Sequence, residues 1–453
     1  MTRTDHPPVI VLCIDALRAD AVGPNYGPAW DGFEPPRTPF LSAFLDRCAL
    51  TGRAVASSSW TKPSVPSLFL SRYPSEHGVL EVAKGDHVSS PHLPPGHPTI
   101  AEHFRDGGYR AHGVAHNAQL SPTLGFGRGF ETFDANAGDG EAIINQLDDL
   151  QPFDGPEPVF LYIHLIEPHW PFSSKIRARI RERGGRYDFG NFSATDWKQL
   201  KAGLKRGTVE LTAEEKRSLF DAYRAAVEEA DTIVGMLVGW LESCKAWRDS
   251  VMLVTADHGE ELLDHGLVGH GQSVSEELIR VPFGLRVPEG GDTARRSLAL
   301  PRHVDIFPTL AAAAGLDVPE GLRGVNLLAA PAPTEAFAEV KHKRRYHQAI
   351  VTERWKLTRS FVFDKRTAPG EDYNNLGELF AERSHRCERR LFDLTKDPGE
   401  QRDLVTEAPG TAMELEERLT RWWESLVRRT PSPDDDQDMD EALIRRLEAL
   451  GYL

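Results

Sequence analysis

The chain has 453 residues, 40 % of them hydrophobic and 27 % charged, a balance that suits a globular protein with a large core. Lys and Arg total 53 against 68 Asp and Glu, and the resulting net charge of −15 argues against broad binding to nucleic acid or anionic lipid. It leaves room for a small anionic substrate, because a bound cation can reverse the field locally. Cys13, Cys48, Cys244 and Cys387 form no C-x-x-C pair, which excludes a disulfide framework and a zinc ribbon and suits a reducing compartment. No secretory signal is visible and no run approaches the ~18 apolar residues of a membrane span, so a cytoplasmic location is expected.

The first element is the apolar run Val9 to Ile14, short and continuous as in a strand buried on both faces of a parallel sheet. Thr99 to Phe104 reads as a short helix. Val159 to His164 and Ser250 to Thr255 repeat the buried-strand pattern, and each of the three runs gives way at once to Asp, Glu or His. Between the last two lies the clearest helix, Thr212 to Cys244. It opens on a capping box, Thr212 with Glu215, and repeats apolar residues at Leu219, Tyr223, Val227, Ala230, Val234, Leu237 and Leu241. Ile306 to Ala314 is another short helix. Alternation of strands and helices predicts an α/β sandwich around a mostly parallel sheet, with ligands beyond the carboxyl ends of the strands.

The Ala- and Pro-rich stretch from Ala329 to Thr334 reads as a connection, dividing a large domain over 1–330 from a smaller C-terminal α+β subdomain over 335–453. Within the latter, Gln348 to Thr352 and Trp355 to Phe361 look like strands and Met413 to Arg428 like a helix. Asp434, Asp435, Asp436, Asp438 and Asp440 suggest a solvated linker, and Leu443 to Leu453 an amphipathic helix docking back on the body.

Four clusters carry candidate chemistry. Asp15 follows the first strand; alone, it is an ordinary turn or cap. In Ser59-Trp60-Thr61-Lys62-Pro63-Ser64, Thr61 and Ser64 can cap a helix starting near Pro66, and a hydroxyl there faces free N–H groups and the positive end of the dipole, a fit for attack on an anion. Lys62 beside it either neutralises that anion or is simply solvated. At the end of the second buried run, Glu167 and His169 flank Pro168, while His164 has the look of a core histidine. The strongest cluster is Asp257-His258-Gly259-Glu260. It pairs a hard oxygen ligand with an imidazole after a buried strand, Gly259 allows a sharp turn, and His265 and Gly269-His270-Gly271 follow, with glycines that permit close approach of a ligand.

Asp15, the run from Thr61 through Arg72-Tyr73-Pro74-Ser75-Glu76-His77-Gly78, Glu167-Pro168-His169, Asp257-His258-Gly259-Glu260, His303-Val-Asp305, Leu391-Phe-Asp-Leu394 with Asp397-Pro398-Gly399-Glu400, and the segment Leu447 to Leu453 together resemble the sulfatase family of the alkaline phosphatase superfamily, in family order. The resemblance implies one divalent ion (zinc, manganese, calcium or magnesium) on Asp15, Thr61, Asp257 and His258. Many members carry a second Asp after the first; here Ala16 stands there, as in members whose motif reads Asp-Thr-Leu-Arg and that manage with one ligand fewer, and a contribution from Asp20 is left open. The nucleophile departs from the sulfatase pattern C-x-P-x-R: Thr61 replaces the Cys and Val65 the Arg, so no formylglycine can form. Where sulfatases hold sulfate with Lys and His, this chain has His116 and Asn117.

Threonine at this place resembles the phosphodiesterase, phosphonate-hydrolase and phosphoethanolamine-transferase branches. A phosphate or phosphonate ester hydrolase with a threonine nucleophile is therefore expected. Sulfate ester hydrolysis, phosphoryl transfer and a catalytically silent relative are the alternatives. His270 and His169 serve as donors to the substrate or leaving group, or else join Glu167 around a second cation. The organic part of the substrate would be read by loops such as Arg177 to Arg206 and by the C-terminal subdomain; a homo-oligomer is left open.

Overall fold

The computed structural model describes residues 6–24, 26–80, 89–172, 176, 189, 193–288, 295–329, 331–342, 345–363, 385–427 and 436–449. Eight strands form the central sheet, in the order 296–298, 50–55, 280–286, 251–256, 9–14, 159–165, 110–115 and 132–134. Val9–Ile14 is buried throughout and lies between two parallel neighbours, as its unbroken apolar sequence demands. Arg280–Arg286 alone among these strands runs against its neighbours.

The three apolar strands end in step: Ile14 sits opposite Leu165 on one side and Ala256 on the other. Asp15 and Asp257 therefore leave the sheet at one level. Leu50–Val55 leads into the helix Thr61–Leu70, which brings its first residue to the same edge. The helix starts at Thr61 and not near Pro66, because Pro63 falls within the first turn, where a missing N–H costs nothing. The long helix Ala213–Ser243 has the expected capping box, with Thr212 Oγ1 accepting from the Glu215 N–H at 3.2 Å and the Glu215 carboxylate accepting from the Thr212 N–H at 2.9 Å. Its Tyr223 hydroxyl donates to the Ala16 carbonyl at 2.7 Å and accepts from the Arg18 N–H at 3.1 Å, which fixes the turn carrying Asp15.

Glu335–His342, Arg345–Thr352, Trp355–Phe363 and His385–Asp393 build a separate antiparallel sheet. The helix Pro409–Ser425 covers it, with the Trp422 ring stacked on Phe337 at 4.6 Å. This sheet reaches the site side of the molecule: the Glu339 N–H donates to the Ser57 carbonyl, just upstream of Thr61. The expected solvated linker is only partly one. Residues 436–438 pair antiparallel with 89–91, and the helix Glu441–Ala449 then docks on the large core through Met439, Leu443 and Leu447, so this tail packs with the catalytic body; Asp434, Asp435 and residues 450–453 lie outside the described residues. Of the stretch 177–206, residues 177–188 and 190–192 lie outside them as well, and Ala194–Arg206 is a helix and not a loop. Among the described residues no helix is long and apolar enough to cross a membrane.

Candidate active site

Asp15, Thr61, Asp257 and His258 meet at the carboxyl edge of the sheet, all of them with no solvent exposure. Thr61 Oγ1 lies 3.3 Å from His258 Nε2, and that nitrogen is 3.4 Å from Asp15 Oδ1 and 3.6 Å from Asp257 Oδ2. His258 Nδ1 donates to the Gly259 carbonyl at 2.8 Å, which turns Nε2 towards the centre. The other carboxylate oxygens are spoken for. Asp257 Oδ1 accepts from the His258 N–H at 2.9 Å and the Ala16 N–H at 3.3 Å. Asp15 Oδ2 accepts from Asn117 Nδ2 at 2.7 Å and from His164 Nε2 at 3.3 Å, while the Tyr162 hydroxyl holds His164 Nδ1 at 2.9 Å.

Asp15 Oδ1 and Asp257 Oδ2 are buried and lack any hydrogen-bond partner among the described residues. Two aligned carboxylate oxygens without donors, closed by an imidazole nitrogen and a hydroxyl, are costly unless a cation faces them. Three oxygens with one nitrogen fit zinc or manganese, and the oxygen majority also suits calcium or magnesium. The electrostatics agree. Burial pushes Asp257 up, and the charge of Asp15 pushes it further. Burial works against a charged His258 and Asp15, yet Asp257 and Asp15 lift the imidazole to about 9, while His169, His164 and His258 hold Asp15 well below the usual carboxylate range.

A second group stands beside the first. The His270 ring is 4.4 Å from that of His258 and 4.9 Å from that of His169. His270 Nδ1 is 3.1 Å from Glu260 Oε2. Burial depresses both rings, His169 to about 4, so each is a neutral donor near neutral pH. Burial raises Glu260.

The remaining predicted residues divide between the site and its surroundings. Glu167, which burial raises to about 7, lies against the backbone of Gly140 at the start of the helix Gly140–Leu150, near Asp139 and Glu229; Glu260, not Glu167, is the carboxylate that joins His169 and His270. His116 Nδ1 accepts from the Gly138 N–H at 2.9 Å. Asn117 holds Asp15. Lys62 has no exposure, which overturns the solvated reading. Asp20 is no ligand: both its oxygens are taken by the Arg18 guanidinium at 2.8 Å.

The glycines act for other reasons than expected. A Cβ on Gly259 would stand 2.0 Å from the Glu277 carbonyl oxygen, so close approach and not a turn requires glycine there. Gly269 and Gly271 have φ of 92° and 79°, a left-handed backbone that sets the direction of His270. Three residues were missed as site members. His164 and Glu260 sit inside the quoted motifs, at strand-end positions that could have flagged them. Lys201, whose charge acts on Glu260 and His270, comes from the helix Ala194–Arg206 and gave no signal.

The family model "Sulfatase" matches residues 7–316, and the chain belongs to the sulfatase family, a family of ester hydrolases. It is 24 % identical over 270 residues to the uncharacterized sulfatase YidJ of Escherichia coli (strain K12), an alignment covering 55 % of this chain and 54 % of that protein. The chain thus spans about half the length of that relative. Among solved structures it resembles one in complex with its substrate D-glucosamine-2-N,6-O-disulfate (TM-score 0.70, 16 % identity, 93 % of this chain and 98 % of the other). It also resembles the phosphonate monoester hydrolase of Agrobacterium radiobacter (TM-score 0.68, 16 % identity, 96 % and 100 %). At such identities these likenesses concern the fold.

Proposed function

We propose that this sulfatase-family hydrolase cleaves a phosphate or phosphonate ester of a small anionic molecule, with Thr61 Oγ1 as nucleophile. The observation that carries the reading is the place of that hydroxyl: first residue of its helix, 3.3 Å from His258 Nε2, facing two carboxylate oxygens that lack donors. A divalent cation on Asp15, Asp257, His258 and Thr61 would supply the positive charge that makes the hydroxyl acidic and offsets the charge of the phosphoryl oxygens.

The chain's own groups do the rest. The free N–H groups and dipole at the start of the helix Thr61–Leu70 favour an anion beside Thr61, and the buried Lys62 adds positive charge to that first turn. Oγ1 bonds to phosphorus as the ester bond to the leaving oxygen breaks. His270, oriented through Nδ1 by Glu260, and His169 are the neutral imidazoles that can take the proton leaving Thr61 Oγ1 and, as imidazolium, hand it to that oxygen. Water then releases the phosphoryl group and restores the hydroxyl. Serine or cysteine can be oxidised to formylglycine, whereas threonine cannot, which sets this centre apart from that of formylglycine sulfatases.

The test is a panel of aryl phosphate monoesters, diesters, phosphonates and sulfates, each with zinc, manganese, magnesium and calcium, on the wild type and Thr61→Ala. Turnover of a phosphorus ester that the substitution abolishes is expected, with the fold intact. Turnover confined to sulfates, or near-normal rates in the variant, would refute the proposal.

A further inference from the structure

Beyond the active site, Glu261–Leu262 and Val268–Gly269 form a two-stranded hairpin, with Glu260 before it and His270 after it. His265 lies in its turn. There His265 Nε2 is 3.5 Å from Glu277 Oε2, and ligand atoms of His265, Glu277 and Glu400 all lie within 4.8 Å of one another. Glu400 belongs to the segment that follows the last strand of the C-terminal sheet, so three separate parts of the chain converge here.

Four carboxylates, Glu261, Glu276, Glu277 and Glu400, meet two fixed cations here. Lys356 Nζ sits 2.9 Å from Glu400 Oε1 and 3.1 Å from Glu276 Oε1, and Arg280 Nε is 2.9 Å from Glu276 Oε2. Those two fixed cations match Glu276 and Glu400. Glu277 has only the titratable His265 imidazole, 3.5 Å from its Oε2, and the nearby Glu261 pairs with no fixed cation; Glu261 Oε1 accepts from the N–H groups of His265 and Leu267 at 3.1 and 3.0 Å, and its other oxygen accepts from Gln272 Nε2 at 2.8 Å. Glu277 Oε1 is the independent sign of a missing ligand. Its side chain is 5 % exposed, and that oxygen has no hydrogen-bond partner among the described residues.

We propose that His265 Nε2, Glu277 and Glu400 bind a divalent transition-metal ion, zinc or manganese by the chemistry of one imidazole with two carboxylates, at a site separate from the catalytic centre. The 3.5 Å between Nε2 and Oε2 is close to the spacing of roughly 3.3–3.5 Å that ligands adopt around a tetrahedral ion with bonds near 2.0–2.1 Å. Partners already hold the ligands in place: the Glu276 N–H donates to Glu400 Oε2 at 2.7 Å, Lys356 fixes the other oxygen, and Glu261 clasps the turn that bears His265. The ion would pin the hairpin whose ends carry Glu260 and His270 to the C-terminal sheet.

Calorimetric titration with Zn2+ and elemental analysis test this on the full chain, stripped of metal and compared with His265→Ala, Glu277→Gln and Asp257→Asn. Wild type should bind two ions, Asp257→Asn one, and each of the other two variants one. A wild type binding one ion that His265→Ala loses would leave this site standing and remove the catalytic ion instead, so the two readings fail separately. Zn2+ uptake by His265→Ala and Glu277→Gln equal to that of wild type, or none by a folded Asp257→Asn chain, would overturn the proposal.

Discussion

Asp257→Asn perturbs the centre at the point where its electrostatics are least balanced. Asn keeps the oxygen that accepts from the His258 and Ala16 N–H groups, and removes the charge whose second oxygen has no donor. In a medium of effective dielectric ~20, two unit charges about 4 Å apart interact by about 4 kcal/mol and a doubly charged ion by about twice that, so the affinity for a divalent ion at this centre should fall by at least ~10³-fold. With 453 residues at about 2.1 cal/mol/K each, the unfolding entropy is about 1 kcal/mol/K, and 1 kcal/mol moves Tm by about 1 °C. An ion at a hundred times its dissociation constant adds about 2.7 kcal/mol, hence about 3 °C for this site in wild type, against less than about 0.5 °C in the variant. Without metal the order reverses. The substitution removes a buried charge that burial and Asp15 already destabilise, so the metal-free variant should melt no lower than metal-free wild type. Differential scanning calorimetry of stripped and reloaded protein, on a His265→Ala background to silence the other proposed site, reads both numbers. Equal metal-induced gains in the two chains, or collapse of the metal-free variant, would show that Asp257 does not face a cation.

Asn117→Ala removes the 2.7 Å donor to Asp15 Oδ2 and should weaken metal binding at the catalytic centre by about 10–100-fold while leaving the circular dichroism spectrum unchanged; undiminished affinity by calorimetry counts against a positioning role. Gly259→Ala drives a Cβ to 2.0 Å from the Glu277 carbonyl, and a loss of at least ~2 kcal/mol in urea unfolding is expected; a neutral result means the two segments are free to part. Burial raises Glu339 to about 7, although Tyr346 and Ser75 donate to it. A carboxyl raised in the folded state lends stability below its unfolded pKa of about 4.3, and that stability is lost as pH rises through about 7. Glu339→Gln should therefore gain on wild type in urea midpoints from about pH 4.3 up to about 7 and hold that gain above it, and a difference that stays flat with pH contradicts the assignment.

The sequence revealed what continuous apolar runs and helical periods encode. Val9–Ile14, Val159–Leu165 and Val251–Ala256 have no polar interruption before their ends, apart from His164 and Thr255, and the Thr212–Glu215 box marks its helix to the residue. Arg280–Arg286 stayed hidden because Pro282 argues against a central strand; its pairing with Val251–Ala256 starts at Phe283, past the proline. Leu50–Val55 carries Thr51, Gly52 and Arg53 in its middle and shows no clear period. Residue types after strands located the donors of the centre, but not which way each side chain turns. Asn117 and His164 support Asp15, and Glu167 looks to another helix, because tertiary neighbours from distant segments settle those rotamers. Lys201 was beyond reach for the same reason.

Asp15 is joined to Asn117 across 102 positions of chain, and the Ala16 N–H to Asp257 across 241. The strands beside these residues pair over spans just as long, Val9 with Phe160 and Val9 with Val251, so the sheet itself brings the groups together. The candidate site is thus held open by the sheet and not by the ion it would take. A dication arriving there meets a completed architecture, and chelators should empty it, and later salts refill it, without the polypeptide ever having to let go of its tertiary shape.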